Sequence, residues 1–387
     1  MIQTTKKILT RHSLFVPFLF TLILFLVFPS NRGLADDGKK LEKSGQQEMQ
    51  EKNRTPQAFG KQEEGSSKKT LKTILLITVG VLVVGAAAYF LLKKKDKAKE
   101  EPKPIFEYVT KWGSYGTGDG QFSNVSDVAV DSGGNVYVAD TYNNRIQKFT
   151  STGEYQTKWG STGSGNGQFN EIRAVAVDGS GNVYVSDTSN HRIQKFTSTG
   201  TFLTKWGSQG SGDGQFNRPN GMAFDSSENV YVADSANSRI QKFTSTGGFL
   251  AKWGSQGSGD GQFDFPTGVA VDSGGNVYVV DSGSGRVQKF SSSGGFIAKW
   301  GSLGTANGQF DEPNDVLFDS RGFIFVSDSS NNRIQKFTTT GSFVGTWGSY
   351  GTGDGQFHYP DGLAMDSGGY VYVAEFHNYR VQKFRTR

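Results

Sequence analysis

The six tryptophans of this 387-residue chain, Trp112, Trp159, Trp206, Trp253, Trp300 and Trp347, stand 47 residues apart without exception. The triplet Gln-Lys-Phe keeps the same step, ending at Phe149, Phe196, Phe243, Phe290, Phe337 and Phe384. A fixed period of this size restricts the chain to an array of like units, each relying on its neighbours to bury its apolar surface. One unit, residues 221–254, reads GMAFD-SSEN-VYVAD-SANS-RIQKF-TSTG-GFLAKWG. Four short β-branched or aromatic runs alternate with turns of Gly, Ser, Asp and Asn, and none is long enough for a helix. Glycine, at 52 residues, is spent on these regularly spaced turns.

The second run of each unit, as in Val136-Tyr137-Val138-Ala139, lacks the polar alternation of a sheet with one wet face. A continuous apolar strand is buried on both faces. Four-stranded sheets buried on both sides and repeated six times are blades packed around an axis. A solenoid would instead leave exposed ends that need caps. The repeat region opens on Ile105–Trp112, which matches the fourth run of a unit, and closes on Arg380–Phe384, which matches the third. The spacing therefore predicts an all-β, six-bladed propeller over residues 105–387, its last blade completed by the N-terminal strand so that no free edge remains. Such a ring is expected to be monomeric.

The residues before the ring read differently. Lys6, Lys7 and Arg11 precede an apolar run, Leu14 to Phe28, and Gly33-Leu34-Ala35 offers small residues for cleavage before Asp36. Residues 1–35 are thus expected to be a signal peptide or an uncleaved anchor. Residues 36–70 are polar and aperiodic, the composition of a disordered spacer. Residues 71–92 carry one charge, Lys72, and reach about 33 Å as a helix, enough to cross a membrane. Residues 93–104 form a basic juxtamembrane linker with Lys93, Lys94, Lys95, Lys97 and Lys99. These lysines favour a single-pass protein whose ring is cytoplasmic. Lys68, Lys69 and Lys72 on the other flank leave the extracytoplasmic placement open.

Charge and composition remove several functions. Residues 1–101 hold 18 Lys+Arg against 10 Asp+Glu, whereas residues 102–387 hold 23 against 26. The basic excess belongs to the tail, so the ring does not carry the positive field that nucleic acid requires. The absence of Cys excludes disulfides, thiolate metal sites and cysteine nucleophiles.

The patterns D-x-x-N-x-R-I-Q-K-F, as in Asp140–Phe149, and K-W-G-S-x-G-x-G-D-G-Q-F, as in Lys111–Phe122, closely resemble those of NHL-repeat proteins. The resemblance implies a six-bladed propeller that binds partners through one face. Its relatives include sensor domains of bacterial receptor kinases and the RNA- or protein-binding propellers of tripartite-motif ubiquitin ligases. The last activity does not transfer, because a RING finger needs Cys. More distant relatives, a peptide-amidating lyase and lactonase-type propellers, perform metal-dependent chemistry.

Polar residues repeated in every unit are read as scaffold. Asp140, Asp187, Asp234, Asp281 and Asp328, with Glu375 in the sixth copy, each stand five residues before an arginine that pairs with them to close a loop. Function is expected where the copies disagree, on the face shared by the second-to-third loops and the fourth-to-first connections. The bulky and titratable exceptions are His358, Tyr359, Phe376, His377 and Tyr379 in the sixth copy, Tyr142 in the first, and Glu171, Arg173 and His191 in the second. Ring closure makes these copies neighbours. Exposed aromatics beside an arginine suit a protein or peptide partner. The expectation is a membrane-tethered, non-enzymatic binding module with no catalytic residue and no cofactor. The alternative is a metal-dependent lyase or lactonase, for which Asp127, Asp315 and Asp361 near the start of first strands are the candidate ligands. RNA binding is a third, disfavoured by charge.

Overall fold

The computed structural model describes residues 63–97 and 106–386, with side chains of residues 69–90 in the first segment. Two units result, a helix and a ring of strands, and each is considered by itself.

The helix spans Glu63–Lys97, and Lys69–Phe90 within it is long and apolar enough to cross a membrane. It extends beyond the predicted 71–92 at both ends. It takes up the last residues of the expected spacer and the first lysines of the expected linker. Helix propagation costs little once a nucleus exists, and Glu and Lys are good helix formers. Leu71, Leu76, Val84 and Phe90 are all solvent-exposed, so the apolar surface runs all round the helix, as lipid-facing helices require. The predicted signal segment, 1–35, and most of the spacer and linker lie outside the described residues.

The ring contains six four-stranded antiparallel sheets. In blade one the strands run from the axis outward as Val125–Val130, Val136–Asp140, Arg145–Phe149 and Tyr155–Trp159. The next four blades repeat this order. Blade six takes three strands from the chain's end and its outer strand, Phe106–Trp112, from before the first repeat. Phe106 pairs with Thr386 and Trp112 with Val381 across that seam. The second strands are buried along their whole length in blades one to five, and in blade six only Tyr370, at the start, is partly accessible. This explains why they lack alternation.

Each tryptophan sits on an outer strand and packs against the following blade. A Cβ on Gly153 would lie 2.7 Å from the Trp112 ring, and Gly200, Gly247, Gly294 and Gly341 meet the next four tryptophans in the same way. Their positive φ, +82° to +91°, independently calls for glycine. The sixth tryptophan, Trp347, has no such turn to meet, because the outer strand of blade six, Phe106–Trp112, comes from before the first repeat. Phe106 takes that place, stacked on Trp347 with ring centroids 3.3 Å apart.

The repeated Asp and Arg form a loop clamp, as the sequence indicates. In every blade the arginine Nε donates to the carboxylate at 2.5–2.7 Å; the carboxylate is always buried, and so is the arginine in all blades but the fifth, where Arg333 is partly accessible. Arg145 also donates to the carbonyls of Thr117, Gly118 and Gln121, binding the G-x-G-D-G turn to the blade. Asp140 accepts from the Ser123 amide at 2.8 Å. Removing one partner of a buried, hydrogen-bonded ion pair costs about 3–5 kcal/mol. Arg239→Ala is therefore expected to lower the unfolding free energy by about that amount in urea titration. Arg239→Lys should restore little of it, since an ammonium cannot span the carboxylate and the loop carbonyls together. Phe106→Ala should cost about 3 kcal/mol by the same measurement, because it opens a cavity at the closing seam.

Candidate functional site

The first strands line the axis, and three consecutive layers of side chains at their upstream ends define the mouth of the tunnel. The outermost layer is Asn124, Glu171, Arg218, Phe265, Glu312 and Tyr359, all with left-handed φ between 49° and 62°. Two residues on in each blade stand Ser126, Arg173, Asn220, Thr267, Asn314 and Asp361. The next layer is Asp127, Ala174, Gly221, Gly268, Asp315 and Gly362. A cavity of about 200 Å³ opens among Arg173, Arg218, Asn220, Phe265, Glu312 and Tyr359. Below it the tunnel narrows to about 20 Å³ between the second and third layers.

The acidic candidates fall at that constriction, and two of them are structural. Asp127 accepts from the amides of Val128 and, one blade on, Val175, at 2.7 and 2.8 Å. Asp315 accepts likewise from Val316 and Leu363, both at 2.8 Å. Each carboxylate staples its inner strand to the next. Asp361 is 8 % exposed and makes no hydrogen bond in the described structure. Burial pushes it up to about 8, against the pull of Arg173 and with a further push from Asp315. Burial likewise raises Asp315 to about 7, opposed by the Leu363 and Val316 amides. Among the described residues no three His, Asp or Glu side chains gather closely enough to hold a metal ion. Asp127, Asp315 and Asp361 thus line one constriction, two of them as strand staples and the third without a hydrogen bond.

The predicted sector is largely one patch. Tyr142 lies 6.0 Å from Phe376, ring to ring, and Phe376 lies 6.1 Å from Tyr359. His377 packs on His358 at 4.7 Å and on Tyr359 at 5.6 Å. Burial, followed by the neighbouring His358, holds His377 below the usual imidazole range. The Arg173 guanidinium stands over the Phe376 ring at 5.5 Å. Phe376 corrects the expectation of exposure, for it is only 8 % accessible and supports the patch from beneath. Tyr379 turns aside to pack on Tyr115 at 5.0 Å. His191 faces away from the patch, where its Nδ1 accepts from the Arg218 amide at 3.2 Å. Burial and the Arg218 charge lower its proton affinity.

Glu171 and Arg173 meet as expected, with a third partner the sequence reading did not include. Glu171 Oε1 accepts from Arg173 Nη2 at 2.7 Å and from Arg218 Nη2 at 2.8 Å, and its Oε2 accepts from Ser189 at 2.6 Å. Burial alone would raise Glu171, but the Ser189 hydroxyl and the two guanidinium groups hold it below the ordinary range. Arg218, Phe265 and Glu312 were legible only as variable residues two places after a buried Phe. Tyr115 and Tyr350, 69 % and 68 % exposed, were also missed. Their signal was available: the residue after each Trp-Gly-Ser reads Tyr, Thr, Gln, Gln, Leu and Tyr through the six copies, so aromatics stand at the two copies that meet at the seam.

The NHL repeat model matches residues 122–149, 169–196, 216–243, 263–290, 310–337 and 357–384, one segment in each blade. The ring is an NHL-repeat propeller. Each match runs from the buried Phe of the fourth-to-first connection to the Phe that ends the third strand. No curated protein matches the chain by sequence. Among solved structures, a protein of unknown function from Bacteroides thetaiotaomicron is 19 % identical with a TM-score of 0.57, covering 73 % of this chain and 76 % of that one. Virginiamycin B lyase from Staphylococcus aureus is 12 % identical with a TM-score of 0.52, covering 73 % of this chain and all of that one. A gluconolactonase from Xanthomonas campestris is 14 % identical with a TM-score of 0.53, covering 70 % and 88 %. Likeness at this level establishes the fold.

Asp361 gives the NHL mouth a pH signature. Its folded-state proton affinity lies above the unfolded value near 3.8, so the folded protein holds one more proton between those limits. The stability this proton contributes is complete below about pH 4 and is lost as pH rises through about 8. The melting temperature of Asp361→Asn should therefore gain on the wild type progressively from pH 4 to pH 8 and level off above. A constant difference over that range would show that Asp361 titrates normally.

Proposed function

We propose that this chain is a membrane-tethered, non-enzymatic binding module that receives a protein or peptide partner on the loop face of its NHL propeller. The observation carrying this reading is the aromatic patch at the seam, where Tyr115, Tyr142 and Tyr350 stand exposed around His358, Tyr359, His377 and Tyr379. Tyrosine supplies large contact area at low entropic cost, and such residues dominate the energy of protein interfaces. The patch gathers the bulky exceptions to the repeat, while a carboxylate–arginine clamp holds the loop in every blade. A rigid frame with local variation suits recognition.

The apolar helix supplies the tether. Five lysines, Lys93, Lys94, Lys95, Lys97 and Lys99, follow its apolar segment, and the positive-inside tendency favours a cytoplasmic ring. A reporter active only in the cytoplasm, fused after Arg387, should be active.

The lyase or lactonase reading draws on the mouth cavity and on the activities named for two of the fold neighbours. It has no metal-ligand cluster among the described residues to support it. Stoichiometric divalent metal in the purified protein would favour it over the binding reading. RNA binding remains disfavoured by the acidic balance of residues 102–387, and a filter-binding assay at low salt should show no retention.

The binding reading predicts that Tyr115→Ala with Tyr142→Ala lowers capture of the partner from membrane extracts at least about tenfold. The melting curve should stay in place, because both rings are exposed. Undiminished capture by the folded double variant would remove the patch from the interface.

A further inference from the structure

The backbone at the tunnel mouth reveals where side chains have been kept for a purpose other than folding. Every blade requires a left-handed residue at the outermost layer, a conformation that costs a Cβ-bearing residue about 1–2 kcal/mol. Asparagine and glycine meet it most readily, yet only blade one uses one of them, Asn124. The second left-handed position of each blade, in the second-to-third loop, is Asn144, His191, Ser238, Gly285, Asn332 or Tyr379, mostly the small and polar types the conformation favours. The mouth layer instead carries Glu171, Arg218, Phe265, Glu312 and Tyr359. The last four of these line the 200 Å³ cavity.

Arg173 and Arg218 converge on a single carboxylate oxygen, Glu171 Oε1, and the other carboxyl beside Arg173, that of Asp361, is pushed by burial toward its neutral form. Arg173 Nη1 and Arg218 Nε and Nη1 find no acceptor among the described residues. Glu312 on the opposite wall makes no ion pair with either arginine; its Oε2 accepts from Ser330 at 2.7 Å and from the Tyr359 hydroxyl at 3.0 Å. Between Arg218 and Glu312 in the ring stands Phe265, 41 % exposed although it is apolar.

We propose that the mouth cavity is a binding site for a monocarboxylate bearing an apolar group. The carboxylate is forked between the free edges of the Arg173 and Arg218 guanidinium groups, and the apolar group rests on Phe265. Planar carboxylate and guanidinium groups match in a two-point fashion that few other pairs reproduce. Two guanidinium groups sharing one carboxylate oxygen suit a monoanion, and Glu312 on the wall opposite disfavours a second negative charge. The constriction below stops the ligand from passing through the ring. This site borders the aromatic patch, with Tyr359 on both and Arg173 over the Phe376 ring, but its carboxylate fork uses none of the exposed tyrosines Tyr115, Tyr142 and Tyr350.

The test is isothermal titration of the full chain in detergent micelles with 3-phenylpropionate and with its uncharged amide. For a ligand of this size the acid is expected to bind with Kd of about 5 mM or tighter. The amide should bind at least about tenfold more weakly. Arg218→Gln should bring the acid down to the level of the amide, Arg218→Lys should recover part of the loss, and both variants should melt with the wild type. Equal binding of acid and amide, no binding of either, or a folded Arg218→Gln that keeps full affinity overturns the proposal. The acid-against-amide comparison needs no variant, so it decides even where Arg218→Gln fails to fold. A third arm uses N-acetyl-Ala-Ala-Phe with a free C-terminus. If it binds as well as phenylpropionate, the carboxylate comes from the end of a docked chain; if it is excluded while phenylpropionate binds, from a free acid. The proposal holds in both cases. Loss of probe binding with partner capture intact defeats this inference alone, and the reverse result defeats only the patch.

Discussion

The buried carboxylate–arginine pair at the end of each second strand is what makes the loop face a surface at all. Without it, the glycine-rich turn between outer and inner strands would be a mobile segment with its carbonyls left to solvent. The arginine ties those carbonyls back to the blade, and a glutamine two residues on repeats the attachment: Gln147 donates to the Gln121 carbonyl and accepts from the Gly120 amide. The interaction is buried, so its worth lies in leaving no charge uncompensated. Six copies fix six loops at matching heights around the axis. Side chains on those loops can then vary without disturbing the frame.

Closure adds the second constraint. The outer strand of blade six comes from the far end of the repeat region, and Phe106 fills, by stacking on Trp347, the place that a turn glycine occupies at the other tryptophans. The seam is therefore covered by a residue from outside the repeated pattern. It is also where the copies diverge most in aromatic content. Blade six uses Glu375 where the others use Asp, and its longer side chain still reaches Arg380 and Gln382. The clamp tolerates the change because carboxylate, guanidinium and amide all remain paired.

The periodicity made the blade count, the strand order and the seam legible, because each depends on repeated spacing rather than on individual contacts. The sector of Tyr142, Tyr359, Phe376 and His377 was legible for the same reason: ring closure turns distant copies into neighbours. Exposure was not. Phe376 reads as a bulky loop residue, yet it is buried under Tyr142 and Tyr359, and only the packing of three loops decides which ring faces solvent. Arg218, Phe265 and Glu312 escaped because their importance rests on backbone dihedrals that the sequence does not display. The same residue types in an extended backbone would be ordinary loop substitutions. The helix runs past the apolar segment at both ends because hydropathy marks only that segment, whereas the helix continues into charged residues that also favour helix.

The third layer explains how one ring has two chemically separate ends. A Cβ on Gly362 would run into Asp127, and one on Gly268 would meet Asp315 and the Asn314 carbonyl. An aspartate staple at this layer thus takes up the space beside it and demands glycine in the preceding blade. All six positions cannot be aspartate, and only blades one and five use it. The strands draw close enough at this layer to narrow the passage, and the space beyond it is a cup of about 440 Å³ lined mainly by Ala129, Val177, Phe224, Leu317 and Met365. The arginines, the glutamates and the histidine–tyrosine cluster lie on the mouth side, and below the third layer the side chains facing the cup are mainly aliphatic, with Phe224 and Phe318. The constriction at this layer consequently forms the floor of the mouth cavity.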